Sequence, residues 1–410
     1  MGAGGLLSVD EALARIVARH ASLPAETVSI ADAAGRVLAA PVVARLDQPF
    51  ADLSAMDGYA VRAVDCATLP ATLKVVGSAP AGGAYAGALA TGEAVRIFTG
   101  GPVPAGADTI VIQENTRTET TGRVTIVEGA QQGRHIRRRG LDFAAGAVGI
   151  EAGRRLTPRD VALAAAMNAP WLSVHRRPRV AILATGDELV MPGEPVGPNQ
   201  ILSSSALAVA RLVEAWGGTP LLLGIARDTR EETGARIAAG LASDLLVTLG
   251  GASVGDHDLV QDALKAQGFA LDFWRIAMRP GKPLMFAERD GQTALGLPGN
   301  PVSTMVCALL FLKPALERLS GLPGDPVATR RATLAVDVGT NDSRQDYVRC
   351  ALQQRAGDLP LATPFKVQDS SMLSVLARAD GLLVRPAHDP GRPAGSGVNV
   401  IDFAELVGTF

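Results

Sequence analysis

Residues 179–190 read RVAILATGDELV and residues 245–251 read LLVTLGG, so two short apolar runs each end in glycine-rich, polar sequence. Around them, apolar runs alternate with segments of helical periodicity. The pattern predicts strands at 180–184, 221–225, 245–249, 283–287 and 293–297, and helices at 203–216, 230–241, 258–267 and 302–319. Strands that alternate with helices indicate a parallel sheet with crossover helices.

On either side of this central block the pattern changes. Ser8 and Glu11 form a capping-box pattern that predicts a helix to about His20. Residues 72–150 carry five short apolar runs separated by Gly and Pro, which favours a small barrel or sandwich, and Thr157 caps a helix that begins at Pro158. Short β-like runs return at 331–410, after a Gly- and Pro-rich linker near 321–326, and predict a small C-terminal β domain.

Composition excludes several classes of protein. The 410 residues are 47% hydrophobic and 20% charged, which is typical of globular chains of two to four domains. A net charge of -2 gives no general affinity for nucleic acid or for anionic membranes. Three scattered cysteines form neither a disulfide framework nor a zinc site, and we expect a soluble protein of the cytoplasm because no signal peptide or membrane-spanning run is evident.

Three glycine-rich loops follow the predicted strands. They are Thr185-Gly-Asp-Glu188, Gly250-Gly-Ala-Ser-Val-Gly-Asp-His-Asp258 and Pro298-Gly-Asn-Pro301. In open parallel sheets, ligands bind beyond the carboxyl ends of the strands, and glycines with helix N-termini suit phosphate or another oxyanion. The alternative is that each loop is only a tight connection, which is less favoured for three loops than for one.

Acidic residues in these loops would repel a phosphate unless a cation compensates. Asp187, Glu188, Asp256 and Asp258 therefore indicate Mg²⁺ bridging a phosphoanhydride, although Asp258 could instead cap a helix. His257 between two of these acids is more often structural than catalytic in such a position.

Two basic clusters are candidates for anion binding. Arg275, Arg279 and Lys282 surround a Pro-Gly turn, which suits a small tetrahedral oxyanion, with a solvated charged edge as the alternative. The second cluster, where surface and substrate contact are equally favoured, is Arg134, Arg137, Arg138 and Arg139. The motifs GxxxxGK[ST], HExxH and GxSxG are absent.

Together these segments resemble one family, the MoeA-type molybdopterin molybdenumtransferases, which include the gephyrin E domain. The segments that match, in the family's order, are Ser54-Ala-Met-Asp-Gly-Tyr-Ala60, Arg96-Ile-Phe-Thr-Gly-Gly-Pro-Val-Pro-Ala-Gly-Ala-Asp108, Arg138-Arg-Gly-Leu-Asp142, Thr185-Gly-Asp-Glu188, Gly250-Gly-Ala-Ser-Val-Gly255, Arg279-Pro-Gly-Lys-Pro283 and Leu297-Pro-Gly-Asn-Pro-Val-Ser303. Several family members have Lys where Arg275 and Arg279 stand here; we expect oxyanion binding to be retained, although Arg presents a planar fork and Lys a compact point charge.

The resemblance implies a multidomain α/β plus β fold with four parts. These are an elongated helical and extended domain used for dimerisation (1–46 plus 145–177), an inserted β domain (47–144), a central three-layer molybdopterin-binding α/β domain with a parallel-type sheet (178–325), and a small C-terminal β barrel (326–410). It also implies a homodimer whose active cleft is shared between subunits, without nucleic acid or membrane, and transient contacts with the adenylyltransferase and with cofactor-receiving enzymes.

The reaction that the resemblance implies uses adenylylated molybdopterin and molybdate, depends on Mg²⁺, and gives molybdenum cofactor and AMP. Catalytic positions would be Asp57, Thr99, Glu188, Asp228 and Asp258, with Asp258 and Glu188 as metal ligands. Molybdate would be held by Arg279, Lys282, Ser303, Arg349 and Ser371. Substrate-binding positions would be Thr185, Gly186, Asp187, Gly250, Gly251, Ser253, Gly255, Asp256, Pro298, Gly299, Asn300 and Pro301.

Two other functions remain open. The adenylyltransferase that makes the substrate shares the central domain, but its Gly-Gly-Thr-Gly loop is replaced here by Gly250-Gly-Ala-Ser-Val-Gly255. A non-enzymatic scaffold of the gephyrin type is less favoured because the chain has no long linker or fused partner segment.

Overall fold

The structure, a computed structural model, describes residues 6–119, 122–251 and 259–406. It divides into two compact units, one formed by Met1–Glu26 with His175–Phe410 and the other by Thr27–Val174. The helices are α1 Val9–Ala18, α2 Pro158–Ala166, α3 Ser204–Ala215, α4 Arg230–Ala239, α5 Leu259–Ala266, α6 Pro301–Cys307, α7 Lys313–Leu319 and α8 Leu373–Leu376. The strands are β1 Ala25–Ser29, β2 Val42–Val43, β3 Leu53–Ser54, β4 Gly58–Val61, β5 Ala71–Ala79, β6 Glu93–Ile97, β7 Thr109–Ile112, β8 Thr116–Glu119, β9 Arg123–Ile126, β10 Ile136–Arg137, β11 Val148–Ile150, β12 Trp171–His175, β13 Arg179–Thr185, β14 Leu189–Val190, β15 Ile201–Leu202, β16 Thr219–Ala226, β17 Leu245–Leu249, β18 Ala270–Phe273, β19 Met278–Arg279, β20 Met285–Arg289, β21 Gln292–Leu297, β22 Arg330–Leu334, β23 Gln345–Gln353, β24 Leu361–Pro364, β25 Gly381–Arg385 and β26 Gly397–Asp402.

The first unit is built on a six-stranded sheet with the order β16-β13-β17-β21-β20-β18. The first four strands are parallel, which confirms the predicted crossover architecture, whereas β20 and β18 are antiparallel to their neighbours. The antiparallel edge arises because β20 and β21 are joined by a two-residue turn, Asp290-Gly291, in which both residues have positive φ. Asp-Gly is a favoured pair for such hairpin turns, since it tolerates this backbone conformation.

Helices cover both faces of this sheet and give it three layers. Val180, Ile182 and Ala184 of β13 pack on the side of α1, α3, α6 and α7. Ala181 and Leu183 point to the opposite side, where the core includes residues of α4 and α5. Because successive side chains of a strand alternate between faces, a strand buried on both sides reads as a continuous apolar run.

The predicted helix at 302–319 is interrupted. It consists of α6, a π-helical turn at Ala308–Leu312, and α7. The Lys313 N–H donates to the carbonyl of Ala308, five residues earlier, and Pro314 follows it with no N–H to donate. A proline inside a helix displaces the regular hydrogen-bond ladder, which accounts for the widened turn.

The C-terminal strands form a small closed barrel. The order is β19-β23-β24-β22-β26-β25, and an additional pairing of β23 with β25 closes the sheet. The short strand β19 comes from the central block and pairs with β23 through Met278 and Arg279. The predicted C-terminal β domain is therefore confirmed, and β19 connects it to the segment that carries the predicted oxyanion residues.

The second unit contains a six-stranded mixed sheet with the order β7-β4-β6-β5-β9-β8. Hydrophobic residues pack on both of its faces, with Tyr59, Val61 and Val111 in one cluster and Val95 and Ile97 in another. The predicted β structure in this region is confirmed, and so are the capping boxes of α1 and α2. The four domain boundaries given above remain a prediction.

Candidate active site

A cavity of about 850 Å³ opens in the first unit at the carboxyl ends of β13, β17 and β21. Eleven residues that line it were predicted site residues. They are Thr185, Gly186, Glu188, Asp228, Gly250, Gly251, Pro298, Gly299, Asn300, Pro301 and Ser371. The three glycine-rich loops therefore meet at one edge of the sheet, as the topology of parallel strands requires.

The second loop requires glycine at its first two positions. Gly250 and Gly251 have φ of 91° and 64°. A Cβ on Gly251 would lie 2.3 Å from the Val260 side chain, so no larger residue fits without movement. A Cβ on Gly299 would lie 3.5 Å from the Gly250 Cα, which shows how closely the backbones of the second and third loops pass.

The acidic residues of the cavity come from the ends of β13 and β16. Glu188 and Asp228 are exposed and line the cavity. The Asp228 N–H donates to the Asp187 carboxylate at 3.1 Å, and the Asp187 N–H donates to the Asp228 carboxylate at 3.4 Å. Arg227 donates to the carbonyls of Asp187 and Leu189, so the two loops are held together by reciprocal hydrogen bonds.

One wall of the cavity was not predicted from the sequence: residues Ile201 to Ser205 form it, ahead of and within the first turn of α3. The short parallel pair β14 and β15 holds this wall beside the loop that contains Glu188. The available signal was the run Ser203-Ser-Ser205, which was read only as a helix start. Among the described residues that line the cavity, none is Lys, Arg or His.

The barrel contributes the loop that contains Ser371. The Asn300 side chain donates to the Ser370 hydroxyl at 3.0 Å, and the Val302 N–H donates to the Ser370 carbonyl at 3.1 Å. Ser371 itself donates through its N–H and its hydroxyl to Asp369. These two hydrogen bonds hold the pKa of the Asp369 carboxyl below its usual range.

Arg349 lies behind this loop and is only 2% exposed. It donates to the Gln368 side chain at 3.2 Å and to the Met372 carbonyl at 3.2 Å. Burial lowers the pKa of its guanidinium, and the nearby Asp369 carboxylate raises it. No carboxylate among the described residues lies within ion-pair distance of it.

Arg279 and Lys282 differ from each other in their partners. Arg279 forms two hydrogen bonds to Asp346, one of 2.8 Å, and contacts Asp342 at 3.4 Å. The bond to Asp346 raises the pKa of Arg279. Lys282 is exposed and forms no side-chain hydrogen bond or ion pair with a described residue. We call Arg279, Lys282 and Arg349 the basic group; its members do not line the cavity, although Pro283, next to Lys282, does.

Other predicted residues lie elsewhere. Ser303 is 4% exposed in the first turn of α6 and does not line the cavity. Arg275 stacks on Trp274, with 3.8 Å between the guanidinium carbon and the ring centroid. In the second unit, Arg138 pairs with Asp52 and Arg139 with Asp47, whereas Arg134 and Arg137 have no ion pair with a described residue.

Asp57 and Thr99 meet in the second unit. The Thr99 N–H and hydroxyl both donate to one Asp57 carboxylate oxygen, at 2.7 and 2.8 Å. These hydrogen bonds hold the pKa of Asp57 below its usual range, with a smaller contribution from Arg96. Asp57 is therefore a prearranged carboxylate on a loop that follows β3.

The positions Ser253, Gly255, Asp256, His257 and Asp258 lie outside the described residues. Within residues 6–119, 122–251 and 259–406, no three His, Cys, Asp or Glu side chains are grouped to hold a metal ion. Over the same ranges, no helix is long and apolar enough to cross a membrane.

Three models of known protein families match successive parts of this chain. Its residues 7–168 match the MoeA N-terminal region (domain I and II), residues 181–318 a probable molybdopterin binding domain, and residues 331–403 the MoeA C-terminal region (domain IV). The chain is 36% identical to the molybdopterin molybdenumtransferase 2 of Mycobacterium tuberculosis over 387 residues, which are 92% of this chain and 95% of the relative. It is 41% identical to the molybdopterin molybdenumtransferase of a Nostoc species over 302 residues, which are 72% and 69% of the two chains.

A solved structure agrees with these matches. The crystal structure of the molybdopterin biosynthesis MoeA protein from Pyrococcus horikoshii superposes with a TM-score of 0.85 at 29% identity, and covers 97% of this chain and 99% of that one. The predicted multidomain fold is thereby confirmed. The chain belongs to the MoeA family of molybdopterin molybdenumtransferases.

Proposed function

We propose that this protein inserts molybdenum into molybdopterin, by cleaving adenylylated molybdopterin in the presence of molybdate and Mg²⁺ to give molybdenum cofactor and AMP. The observation that carries the proposal is the cavity at the ends of β13, β17 and β21. It combines glycine-rich loops, two carboxylates and a helix N-terminus, which are the groups that a metal-bridged phosphoanhydride needs. The relatives that carry the name molybdopterin molybdenumtransferase support it.

The donor set of the cavity fits Mg²⁺. This ion takes oxygen ligands and is usually held by one or two carboxylates together with substrate phosphates, so a cage of three acids is not required. Glu188 and Asp228 supply two such carboxylates, and Asp258 is a further candidate. When bound, Mg²⁺ would neutralise charge that develops on the phosphoanhydride oxygens.

The loops would position the two halves of the substrate. The backbone of Gly250, Gly251 and Gly299 allows close approach of the pterin nucleotide, because no Cβ intervenes. The mutual hydrogen bonds of Asp187 and Asp228 fix the loop that presents Glu188. Positioning and charge neutralisation are the main contributions that a protein makes to phosphoryl chemistry.

Molybdate would be held near the junction of the α/β domain and the barrel. Lys282 has no competing carboxylate among the described residues, and Arg349 is buried behind the loop of Ser371, which lines the cavity. Arg279 is already paired with Asp346 and would act mainly by supporting β19 against the barrel. Ser303 would contribute from the first turn of α6.

We further propose that the protein works in the cytoplasm as a homodimer in which Asp57 and Thr99 of one subunit complete the site of the other. The prediction is testable by mixing two inactive variants, Asp57→Ala and Glu188→Ala. If the site is shared, each mixed dimer contains one site with both wild-type residues, and statistical mixing restores about a quarter of the wild-type activity. If both residues serve one subunit's own site, mixing restores nothing.

The reaction itself is tested by incubating the purified protein with adenylylated molybdopterin and Mg²⁺, with and without molybdate, and measuring AMP. We expect AMP release that depends on molybdate and stops when EDTA is added. Formation of adenylylated molybdopterin from molybdopterin and ATP by this protein alone would indicate the adenylyltransferase instead. Binding of molybdopterin without any AMP release would indicate a scaffold.

A further inference from the structure

The wall of the cavity formed by the start of α3 has features that no predicted site residue explains. Ser203 precedes the helix, and Ser204 and Ser205 are its first two residues; all three line the cavity. Ser203 is 5% exposed, and its hydroxyl makes no hydrogen bond to any described residue, not even the usual capping bond to its own helix. Because Ser203 lines the cavity, its unpartnered hydroxyl is available there for a hydrogen bond to a ligand.

The charge at this helix end also suits an anion. The first turn of α3 has no acidic residue, which is also true of the short helices α6, α7 and α8, whereas the first turns of α1, α2, α4 and α5 contain acidic residues. The N-terminal turn of a helix has N–H groups without acceptors inside the helix and carries partial positive charge. At α3, with its 12 residues, no side chain of the first turn neutralises this charge.

The rest of the described cavity lining offers few groups that can hold an anionic ligand. The described lining contains the carboxylates of Glu188 and Asp228 but no basic side chain. Among the described residues, the groups that can hold a phosphate are therefore backbone N–H groups and hydroxyls, together with any metal that the carboxylates bind. The pairing of β14 with β15, together with the hydrogen bond from the Ser203 N–H to the Val190 carbonyl at 2.9 Å, fixes α3 beside the loop that contains Glu188.

We infer that the N-terminus of α3 binds a phosphate group of the pterin nucleotide through the hydroxyls of Ser203, Ser204 and Ser205 and through its first-turn N–H groups. The inference rests on the proposed function for the identity of the nucleotide. The site contains no charged side chain and holds one phosphate, while the carboxylates of Glu188 and Asp228 remain free for Mg²⁺.

The test uses substitutions that the helix tolerates. Asp is as favourable as Ser at the residue before a helix, and acids in the first turn stabilise helices. Ser203→Asp and Ser205→Asp should therefore leave the melting temperature unchanged or raise it. Because each adds a negative charge where the phosphate binds, we expect each to weaken binding of adenylylated molybdopterin at least tenfold, as measured by calorimetry with the full-length protein. Ser203→Ala should weaken it about tenfold, the value of one hydrogen bond to a charged group.

Ser78→Ala is the matched control, since Ser78 is an exposed serine of β5 whose hydroxyl makes no hydrogen bond to a described residue. The affinity of this variant for adenylylated molybdopterin should equal that of the wild type. Wild-type affinity in both Asp variants would overturn the inference. A loss of affinity that accompanies a lower melting temperature in both variants would overturn it as well, because the loss would then reflect damage to the fold. AMP release is measured in parallel: a wild-type protein that binds the nucleotide through α3 but releases no AMP would contradict the proposed reaction alone.

Discussion

The side chains of the cavity and those of the basic group carry opposite charges, although the Ser371 loop adjoins both regions. The cavity lining has two carboxylates and, among described residues, no base, and it offers hydroxyls and helix ends to an anion. The basic group has three cations, of which Arg279 alone is paired with acids of the described chain. The difference suggests that a metal-bound phosphoanhydride and a free oxoanion are recognised by different chemistry in neighbouring places.

Glu188 gives the largest expected effect. Glu188→Gln keeps the shape of the side chain but removes a charge that we assign to Mg²⁺, so the rate of molybdate-dependent AMP release should fall on the order of 100-fold or more. The measurement is AMP formed per minute over a range of Mg²⁺ concentrations. Partial rescue by excess Mg²⁺ is expected if the residue holds the metal.

The control for this experiment is Glu194→Gln, because Glu194 lies beyond β14 and accepts a hydrogen bond from the Met191 N–H without lining the cavity. Its rate should match the wild type. Equal rates for Glu188→Gln and the wild type at every Mg²⁺ concentration would remove Glu188 from the site.

The next largest effects should distinguish the two exposed cations of the basic group, Lys282 and Arg279. Lys282→Ala should raise the KM for molybdate about tenfold, because a charged hydrogen bond to the oxoanion is lost, while the affinity for adenylylated molybdopterin stays unchanged. Arg279→Ala should raise that KM less than about threefold, because its guanidinium already serves Asp346. Steady-state kinetics with molybdate varied at saturating nucleotide distinguishes them.

Arg279→Ala should instead reduce stability. It leaves Asp346, which is 6% exposed, without its partner, at an expected cost of about 1–3 kcal/mol in the free energy of unfolding. The double variant with Asp346→Asn should recover part of this loss. A molybdate KM that rises more for Arg279→Ala than for Lys282→Ala would reverse the assignment.

The smallest effect concerns His20, which bonds to the amino-terminal end of β21, the opposite end of the strand from the cavity. Its ring bonds to the Ile16 carbonyl at 2.7 Å and to the Thr293 hydroxyl at 2.8 Å, and burial lowers its pKa from 6.5. In the unfolded chain the His20 ring therefore takes up a proton as the pH falls through about 6.5, whereas in the folded chain it does so only at lower pH. The free energy of unfolding consequently falls as the pH drops below that value.

His20→Gln removes the titration but retains hydrogen-bonding groups. Between pH 7.5 and 5.5 the wild type should lose about 2–4 °C more in melting temperature than the variant. Nucleotide and molybdate affinities at pH 7.5 should match the wild type, because His20 touches neither region. Equal losses in melting temperature for the two proteins would contradict this account, because His20 would then take up a proton as readily in the folded chain as in the unfolded chain.

Much of the fold follows from local sequence. Capping boxes at Ser8 and Thr157 and the apolar run at β17 depend on neighbouring residues, and each was predicted with bounds close to those observed. The meeting of the three loops also followed, because parallel topology places strand ends at one edge. The π-helical turn was not predicted, although Pro314 inside the helical pattern was a readable signal.

The features of the site that the sequence did not predict depend on contacts between distant residues. Arg279 pairs with Asp346, 67 positions away, and Arg349 reaches the carbonyl of Met372, 23 positions away, through barrel pairing that no local pattern encodes. The serines at the start of α3 looked like an ordinary helix start, because only the folded cavity shows that Ser203 lines it with a hydroxyl that does not cap the helix.

The most direct measurement is a crystal structure of the protein with adenylylated molybdopterin, Mg²⁺ and molybdate. We expect the phosphates in the cavity between α3 and Glu188, and molybdate within hydrogen-bond distance of Lys282 on the side of Ser371 and Arg349. Molybdate bound at the α3 N-terminus, or phosphates bound by the basic group with the cavity empty, would contradict the division between the two regions.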